Sequence, residues 1–326
     1  MWFQVKVGRL IQSSESDVMT NQDTNEVAGF KSGYVAVVGK PNVGKSTLLN
    51  HYIGQKIAAV SYKPQTTRKR QLGILTTDNA QIIFVDTPGL HSGAYKLSQF
   101  INEEAQYALM DADLILFVAD ASQMPDEEDR RLADEIKRIA VGRKILLVLN
   151  KIDLTDPSKI DLIAQAYHKL LDFIDDVQLS AFKAAGREKL LRRIIEILEE
   201  GPQYFPEDQV TVTYERDVVE DLIRAAALQQ LRDEVPYAIF VRVIDYTLRP
   251  DGTRYVKATL FVERISQKGI VIGKGGRMIK KISTMARQEI EDMSGEPVFL
   301  DLVVKVEKNW RNNPEFLSRY GLSHRD

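Results

Sequence analysis

The run Gly39-Lys40-Pro41-Asn42-Val43-Gly44-Lys45-Ser46 satisfies G-x-x-x-x-G-K-[ST] at every fixed position. Glycines in this pattern let the backbone wind tightly, so that successive N–H groups point at phosphate oxygens. Lys45 is long enough to reach β- and γ-phosphates, and the Ser46 hydroxyl suits a Mg²⁺ ion. The run follows a β-branched stretch, Tyr34–Val38, and precedes the helical Thr47-Leu48-Leu49-Asn50, whose dipole adds positive potential. A chance glycine turn does not explain that setting. The chemistry is that of a nucleoside triphosphate site.

Asn150-Lys151-Ile152-Asp153 lies just past the apolar run Ile145–Leu149, at the sheet edge where α/β proteins bind ligands. The Asp153 carboxylate can accept from both N1–H and the 2-amino group of guanine, a donor pair that adenine lacks. Leu179-Ser180-Ala181, after a further short run, can offer backbone donors to the guanine carbonyl. Asp86-Thr87-Pro88-Gly89 closes the run Ile82–Val85, placing Asp86 to hold the Mg²⁺ shell through water and the Gly89 N–H to meet the γ-phosphate. Gln65-Thr66-Thr67-Arg68 adds a hydroxyl for the metal, from Thr67 or, as the alternative, Thr66. The expected metal ligands are Ser46, Thr67 and Asp86. These last two segments are the switch candidates, ordered by a triphosphate and released after hydrolysis.

The elements that must carry these residues alternate along the chain. Apolar strand-like runs at Tyr34–Val38, Ile82–Asp86, Leu114–Ala119, Ile145–Leu149 and Asp176–Leu179 are separated mostly by amphipathic helical stretches. That order predicts an α/β domain with a mainly parallel sheet and helices on both faces. Residues 1–32 carry little apolar periodicity and are expected to form a flexible leader; the nucleotide domain is expected over 33–202. Gly201, Pro202 and Pro206 break the pattern, with a linker expected over 203–209 and a second domain over 210–326. There the order is roughly helix, two strands, glycine-rich loop, helix and strand, a small α+β module.

Its loop is Gly273-Lys274-Gly275-Gly276, a GxxG sequence, and such loops clamp nucleic-acid backbone. Counting Arg264, Lys268, Lys274, Arg277, Lys280, Lys281 and Arg287 gives seven basic residues, with no Asp or Glu from Arg264 through Gln288. Such a cluster suits phosphate, although a solvated helix face beside a tight turn is the plain alternative. The expected RNA contacts are Lys268, Gly273, Lys274, Gly275, Gly276, Arg277, Lys280 and Lys281. Over the whole chain, 44 basic and 46 acidic residues give a net charge of -2, so the basic cluster is local. Cysteine is absent, which excludes disulfides, thiol catalysis and thiolate metal sites. No apolar run reaches the ~18 residues of a membrane-spanning helix.

GKPNVGKS, QTTR, DTPG, NKID and LSA occur in the order of the TRAFAC-class translation-factor-like GTPases. With the GxxG module, EVP at Glu234–Pro236, the run Ser266–Gly276 and the tail Val304-Lys305-Val306…Trp310, the chain resembles the Era family of bacterial GTPases over residues 33–322. The resemblance implies a P-loop GTPase domain followed by a type II KH domain, binding of GTP and GDP with Mg²⁺, and GTP hydrolysis. It further implies contact with the 3′ end of 16S rRNA, a part in small (30S) subunit assembly, and a cytoplasmic monomer in loose peripheral contact with the inner membrane face. Ser283 departs from the glycine expected there. Leu90 stands where Ras-like relatives carry the glutamine that orients water, so slow intrinsic turnover is expected. Lys45, Thr67, the Gly89 N–H and Asn42 are expected to act on the transferring group. In the family pattern Asn42 can help hold K⁺; equally, its amide can merely bond the loop backbone. The alternative function is a membrane-associated signalling GTPase whose KH-like module binds protein or lipid.

Overall fold

The structure is a computed structural model that describes residues 29–54, 71–87, 95–211 and 215–322. Thr66, Thr67, Pro88, Gly89 and Leu90 lie outside the described residues. The first unit runs β1 (Lys31–Val38), α1 (Lys45–Ile53), β2 (Gln71–Thr77), β3 (Ala80–Asp86), α2 (Lys96–Asp111), β4 (Leu114–Asp120), α3 (Glu127–Ile139), β5 (Lys144–Asn150), α4 (Pro157–His168), β6 (Asp175–Gln178) and α5 (Arg187–Ile197). Its sheet has the order β2-β3-β1-β4-β5-β6, parallel except for β2 on β3.

Every residue of β3 and β4 is buried, as expected of strands covered on both faces. Alternation divides β1 between two cores. Val35 and Val37 face α1 and α5 with Leu48 and Ile194, whereas Ala36 and Val38 face the opposite layer with Ile136 and Tyr167. Because β1 sits between β3 and β4, its neighbours' connections leave in opposite directions, opening a crevice at its carboxyl end. The phosphate loop occupies that crevice.

After α5 the chain does not leave the sheet. Ser32 N–H donates to Glu199 O at 3.2 Å, and Gln81 Nε2 donates to Phe205 O at 2.8 Å. Further on, Ile74 N–H donates to Val210 O at 2.8 Å and Thr211 Oγ1 to Leu72 O at 2.6 Å. The stretch read as a linker is thus fastened to β3, and Val210 and Thr211 just beyond it to β2.

The second unit runs α6 (Glu215–Gln230), β7 (Phe240–Leu248), β8 (Arg254–Val262), α7 (Ile265–Ile272), α8 (Arg277–Ser294), β9 (Val298–Val306) and α9 (Pro314–Arg319). β8 pairs antiparallel with β7 and parallel with β9. One sheet face, with Val241, Val256, Leu260 and Val304, packs on Val219 and Ile223 of α6 and Ile282 and Ile290 of α8.

Four local expectations change. β1 begins at Lys31, two residues inside the stretch read as a leader. β2 was not foreseen, and neither was the short α9. The sequence predicts the first strand of this unit over Tyr237–Tyr246; it begins at Phe240, because Pro236 lies in a 3-10 turn over Val235–Ala238 and has no N–H to give a ladder.

The two units meet where the start of α2 packs on the chain around Trp310. Leu97, Phe100 and Ile101 of α2 share an apolar cluster with Phe240, Trp310, Phe316 and Leu322. Arg311 lies 3.9 Å over the Tyr95 ring, and Lys96 N–H donates to Asn312 Oδ1 at 3.2 Å.

Candidate functional site: a phosphate-loop cleft and a GxxG loop

The phosphate loop turns through three positive-φ residues, Gly39 (φ 150°), Asn42 (φ 67°) and Gly44 (φ 101°), the last capping α1. A Cβ on Gly44 would lie 2.2 Å from Asn150 Nδ2, so glycine is what admits Asn150 to the loop. Once there, Asn150 holds two segments together. Its Nδ2 donates to Val43 O at 2.7 Å, and its Oδ1 accepts from Ala181 N–H at 2.8 Å. One buried side chain therefore fixes the spacing between the phosphate loop and the Leu179-Ser180-Ala181 segment.

Lys45 donates to Gly39 O at 2.7 Å and to Lys40 O at 2.8 Å, its ammonium turned into the loop. Burial pulls its pKa down to about 8, against the opposing charges of Asp86 and Glu128. Asp86 is buried at the end of β3, and Ser46 lies in the first turn of α1. A hydroxyl and a carboxylate are the oxygen donors that Mg²⁺ favours, so the residues fit that ion. Thr87 instead serves the fold, its Oγ1 donating to Val37 O at 2.9 Å.

Lys40 was expected among the nucleotide contacts, but its ammonium points to α3. It lies 2.7 Å from Asp126 and 2.7 Å from Asp129, the two carboxylates that also form the capping box of that helix. Burial works against the ammonium, yet these hydrogen bonds hold its pKa above the ordinary lysine value. Pro41 and Val43 also line the cleft.

Lys151 adopts φ 67° and donates to Asp120 Oδ2 at 2.6 Å. Burial opposes the charge on Asp120, but hydrogen bonds from Lys151 and Ser122 keep its pKa below the usual carboxylate range. Asp153 sits in the 3-10 turn Ile152–Leu154 with its side chain 14% exposed and Lys183 Nζ 3.9 Å away. Ser180 is buried and accepts from Lys183 N–H at 3.0 Å.

A cavity of about 670 Å³ opens beside the loop, lined by Lys40, Pro41, Asn42, Val43, Asp120 and Lys151, and also by Tyr237 of the second unit. Sequence reasoning missed Asp120, Tyr237 and the Lys40 partners. An Asp at the tip of an apolar run, as in Phe117-Val118-Ala119-Asp120, was the available signal for the first. Nothing local marks Tyr237.

In the second unit, Gly273 ends α7 and Gly276 caps α8, so the GxxG loop joins two helices. Lys274, Arg277, Lys280 and Lys281 are exposed around it and Lys268 is half-buried, whereas Arg287 is held by Glu291 at 2.8 Å. The structure brings Lys274, Arg277, Lys280 and Lys281 to one loop and the first turns of α8, with Lys268 on the preceding α7.

Residues 34–151 match the family described as 50S ribosome-binding GTPase, and residues 234–311 match the KH domain. The chain is 44% identical over 297 residues to the GTPase Era of Lactobacillus helveticus (strain DPC 4571), covering 91% of this chain and 98% of that one. It is similar to Era crystallised with MgGDPNP and nucleotides 1506–1542 of 16S ribosomal RNA: 37% identity, 90% of this chain, 100% of that one, TM-score 0.83. A single-residue variant of Aquifex aeolicus Era bound to GDP and AlF4⁻ is 36% identical, with 90% and 100% coverage and TM-score 0.83. A GTPase unit built on the Asn150 bridge is thus followed by a KH domain, and the chain belongs to the Era family of GTPases.

Proposed function

We propose that the chain is a GTP-hydrolysing switch that binds the 3′ region of 16S rRNA through its GxxG loop and assists small-subunit assembly. The observation that carries the nucleotide half is the Asn150 bridge, which sets the phosphate loop and the base loop at a fixed separation. Gly39 to Thr47 wrap the phosphates, Lys45 carries their charge, and Asp153 reads the N1–H and 2-amino edge of guanine. The Ala181 N–H, already given to Asn150, serves the 6-oxo group as well through a three-centre bond. Ser46, Thr67 and Asp86 would hold Mg²⁺, which supplies charge neutralisation at the phosphates. Gly89 and Thr67 meet the γ-phosphate, and Asn42 is the chain's own candidate for orienting K⁺ there.

Coupling between the halves is supported by which elements touch the second unit. β2 follows the switch candidate Gln65–Arg68, and α2 follows the other, Asp86–Leu90. Gln71 of β2 meets α6, and α2 meets the chain around Trp310. A triphosphate that reorders those candidates then acts on the KH domain through packed elements. We place the division between units at 203–209.

No described helix is long and apolar enough to cross a membrane. A cytoplasmic monomer with peripheral contact at the inner membrane face rests on family likeness alone; gel filtration and vesicle flotation test it. The deciding experiment is binding of a 16S rRNA 3′ fragment with a GTP analogue and with GDP, over a salt series. Nucleotide-dependent, steeply salt-sensitive binding supports the reading. Binding that ignores both nucleotide and salt overturns it.

A further inference from the structure

The loop after β6 exposes four consecutive side chains, Phe182 to Ala185, with the Phe182 ring 84% exposed. Ala181 seats the start of the loop in the core, and polar bonds must set the shape of the exposed part. Ser180 supplies two: its N–H donates to Ala185 O at 2.9 Å, and its Oγ accepts from Lys183 N–H. Asn150 holds the Ala181 N–H. The carbonyl side is held from another element. Arg187, the first residue of α5, turns its guanidinium back to donate to Ala181 O and, at 3.3 Å, to Phe182 O. The same group meets Nδ1 of His51 on α1. Next along α1, Tyr52 OH donates to Arg187 O at 2.7 Å.

Arg187 is 8% exposed, and no carboxylate pairs with it among the described residues. Buried guanidinium groups ordinarily sit against a carboxylate. This one is spent on two loop carbonyls and an imidazole, and hydrogen bonds from a charged donor are the strong kind. Its burial therefore serves the loop.

We infer that Arg187 is a positioning residue for guanine recognition, locking the loop Ser180–Ala185 to α1, whose N-terminus carries the phosphate loop. The inference rests on the guanine-site reading above. A loop fixed before the ligand arrives spares the ordering cost of binding. Arg187 acts on the edge of the base that bears the 6-oxo group, because that edge faces this loop. The adjoining N1–H and 2-amino group belong to Asp153.

The test titrates GDP and the diphosphate of 2-aminopurine riboside, which lacks the 6-oxo group and with it the N1–H but keeps the 2-amino group, into the full chain and its Arg187→Met and Arg187→Lys variants. Arg187→Met is expected to weaken GDP about tenfold or more while leaving the 2-aminopurine compound unchanged. Arg187→Lys, able to reach one carbonyl, is expected to lose less, again for GDP alone. Equal weakening of both ligands, or of neither, overturns the role of Arg187. An unaltered protein that fails to prefer GDP over the 2-aminopurine compound sinks the guanine-site reading instead. Thermal unfolding without ligand checks the fold, and if Arg187→Met does not fold, the comparison on Arg187→Lys decides.

Discussion

Gln71 Nε2 donates to Asp221 Oδ2 at 2.6 Å, a bond that joins the first residue of β2 to α6 of the KH domain. In the sheet register Gln71 stands opposite Asp86, so the bond starts beside the carboxylate assigned to Mg²⁺. The same Asp221 has a second suitor. Arg224 Nη1 lies 3.9 Å away on α6, and that guanidinium is buried with no hydrogen-bond partner among the described residues. Burial lowers the Arg224 pKa to about 10. A buried, under-bonded cation beside a carboxylate engaged elsewhere is a pair with two available arrangements.

The first prediction concerns that contact. Gln71→Leu keeps the site filled but removes the inter-domain donor, leaving Asp221 to Arg224. The difference in RNA affinity between GTP-analogue and GDP forms is expected to shrink severalfold, with nucleotide affinity unchanged. Fluorescence anisotropy of labelled RNA in both nucleotide states measures it. An unchanged difference removes Gln71 from the coupling.

A second prediction tests Asp153. Asp153→Asn replaces one acceptor oxygen by a donor that faces the donors of guanine. GTP affinity is expected to fall by about two orders of magnitude, and XTP, with a carbonyl in place of the amine, to become the better ligand. Competition between the two nucleotides is the measurement. Retained GTP affinity with no gain for XTP would falsify the assignment.

The motifs were legible in the sequence because each is local: a loop, a strand tip, a helix start. Gly39–Ser46 and Gly273–Gly276 announce their backbone needs through glycine spacing alone. Asn150 was legible as part of NKID, but not its bonds to Val43 and Ala181, which lie 107 and 31 residues away along the chain. β2 was missed for a similar reason. Gln71-Leu72-Gly73-Ile74-Leu75-Thr76-Thr77 is a poor strand by composition and becomes one through β3 on one edge and Val210–Thr211 on the other. The side-chain partners of Lys40, Asp126 and Asp129, were hidden for the same reason, Asp126 lying 86 residues along the chain.

A third prediction follows from Lys45. In the free protein its pKa is about 8, against an ordinary value of 10.5, because burial penalises the ammonium more than Asp86 and Glu128 favour it. Polyphosphate restores the proton. Binding of GDP near pH 8.5 is therefore expected to take up protons, and binding at pH 6.5 is not, so affinity declines as pH rises through about 8. The sign reverses for stability. The unfolded chain holds this proton more tightly, so the ligand-free protein gains stability from about pH 8 towards 10.5. Binding heats in two buffers of different ionisation enthalpy measure the uptake, and its absence at pH 8.5 removes Lys45 as the source.

The last prediction separates fold from function within the GxxG loop. Gly273 has φ 72° and ψ 167°, a region essentially closed to other residues. A Cβ there would lie 2.7 Å from Met278 Cβ and 2.9 Å from its backbone nitrogen. Gly273→Ala is accordingly expected to destabilise the KH domain by about 2–3 kcal/mol. Gly275 differs in both respects. Its φ of 61° and ψ of 27° are left-handed helical values that Asp tolerates, and an added Cβ meets nothing within 4 Å. Gly275→Asp should cost about 1 kcal/mol and set a carboxylate where a phosphate must approach, between Lys274 and Arg277. The expected result is a melting temperature within a few degrees of the parent and RNA affinity at least about tenfold weaker, with a shallower salt dependence. RNA binding at parental strength by a folded Gly275→Asp protein removes the loop from the interface, because no phosphate can sit against that backbone beside a new negative charge.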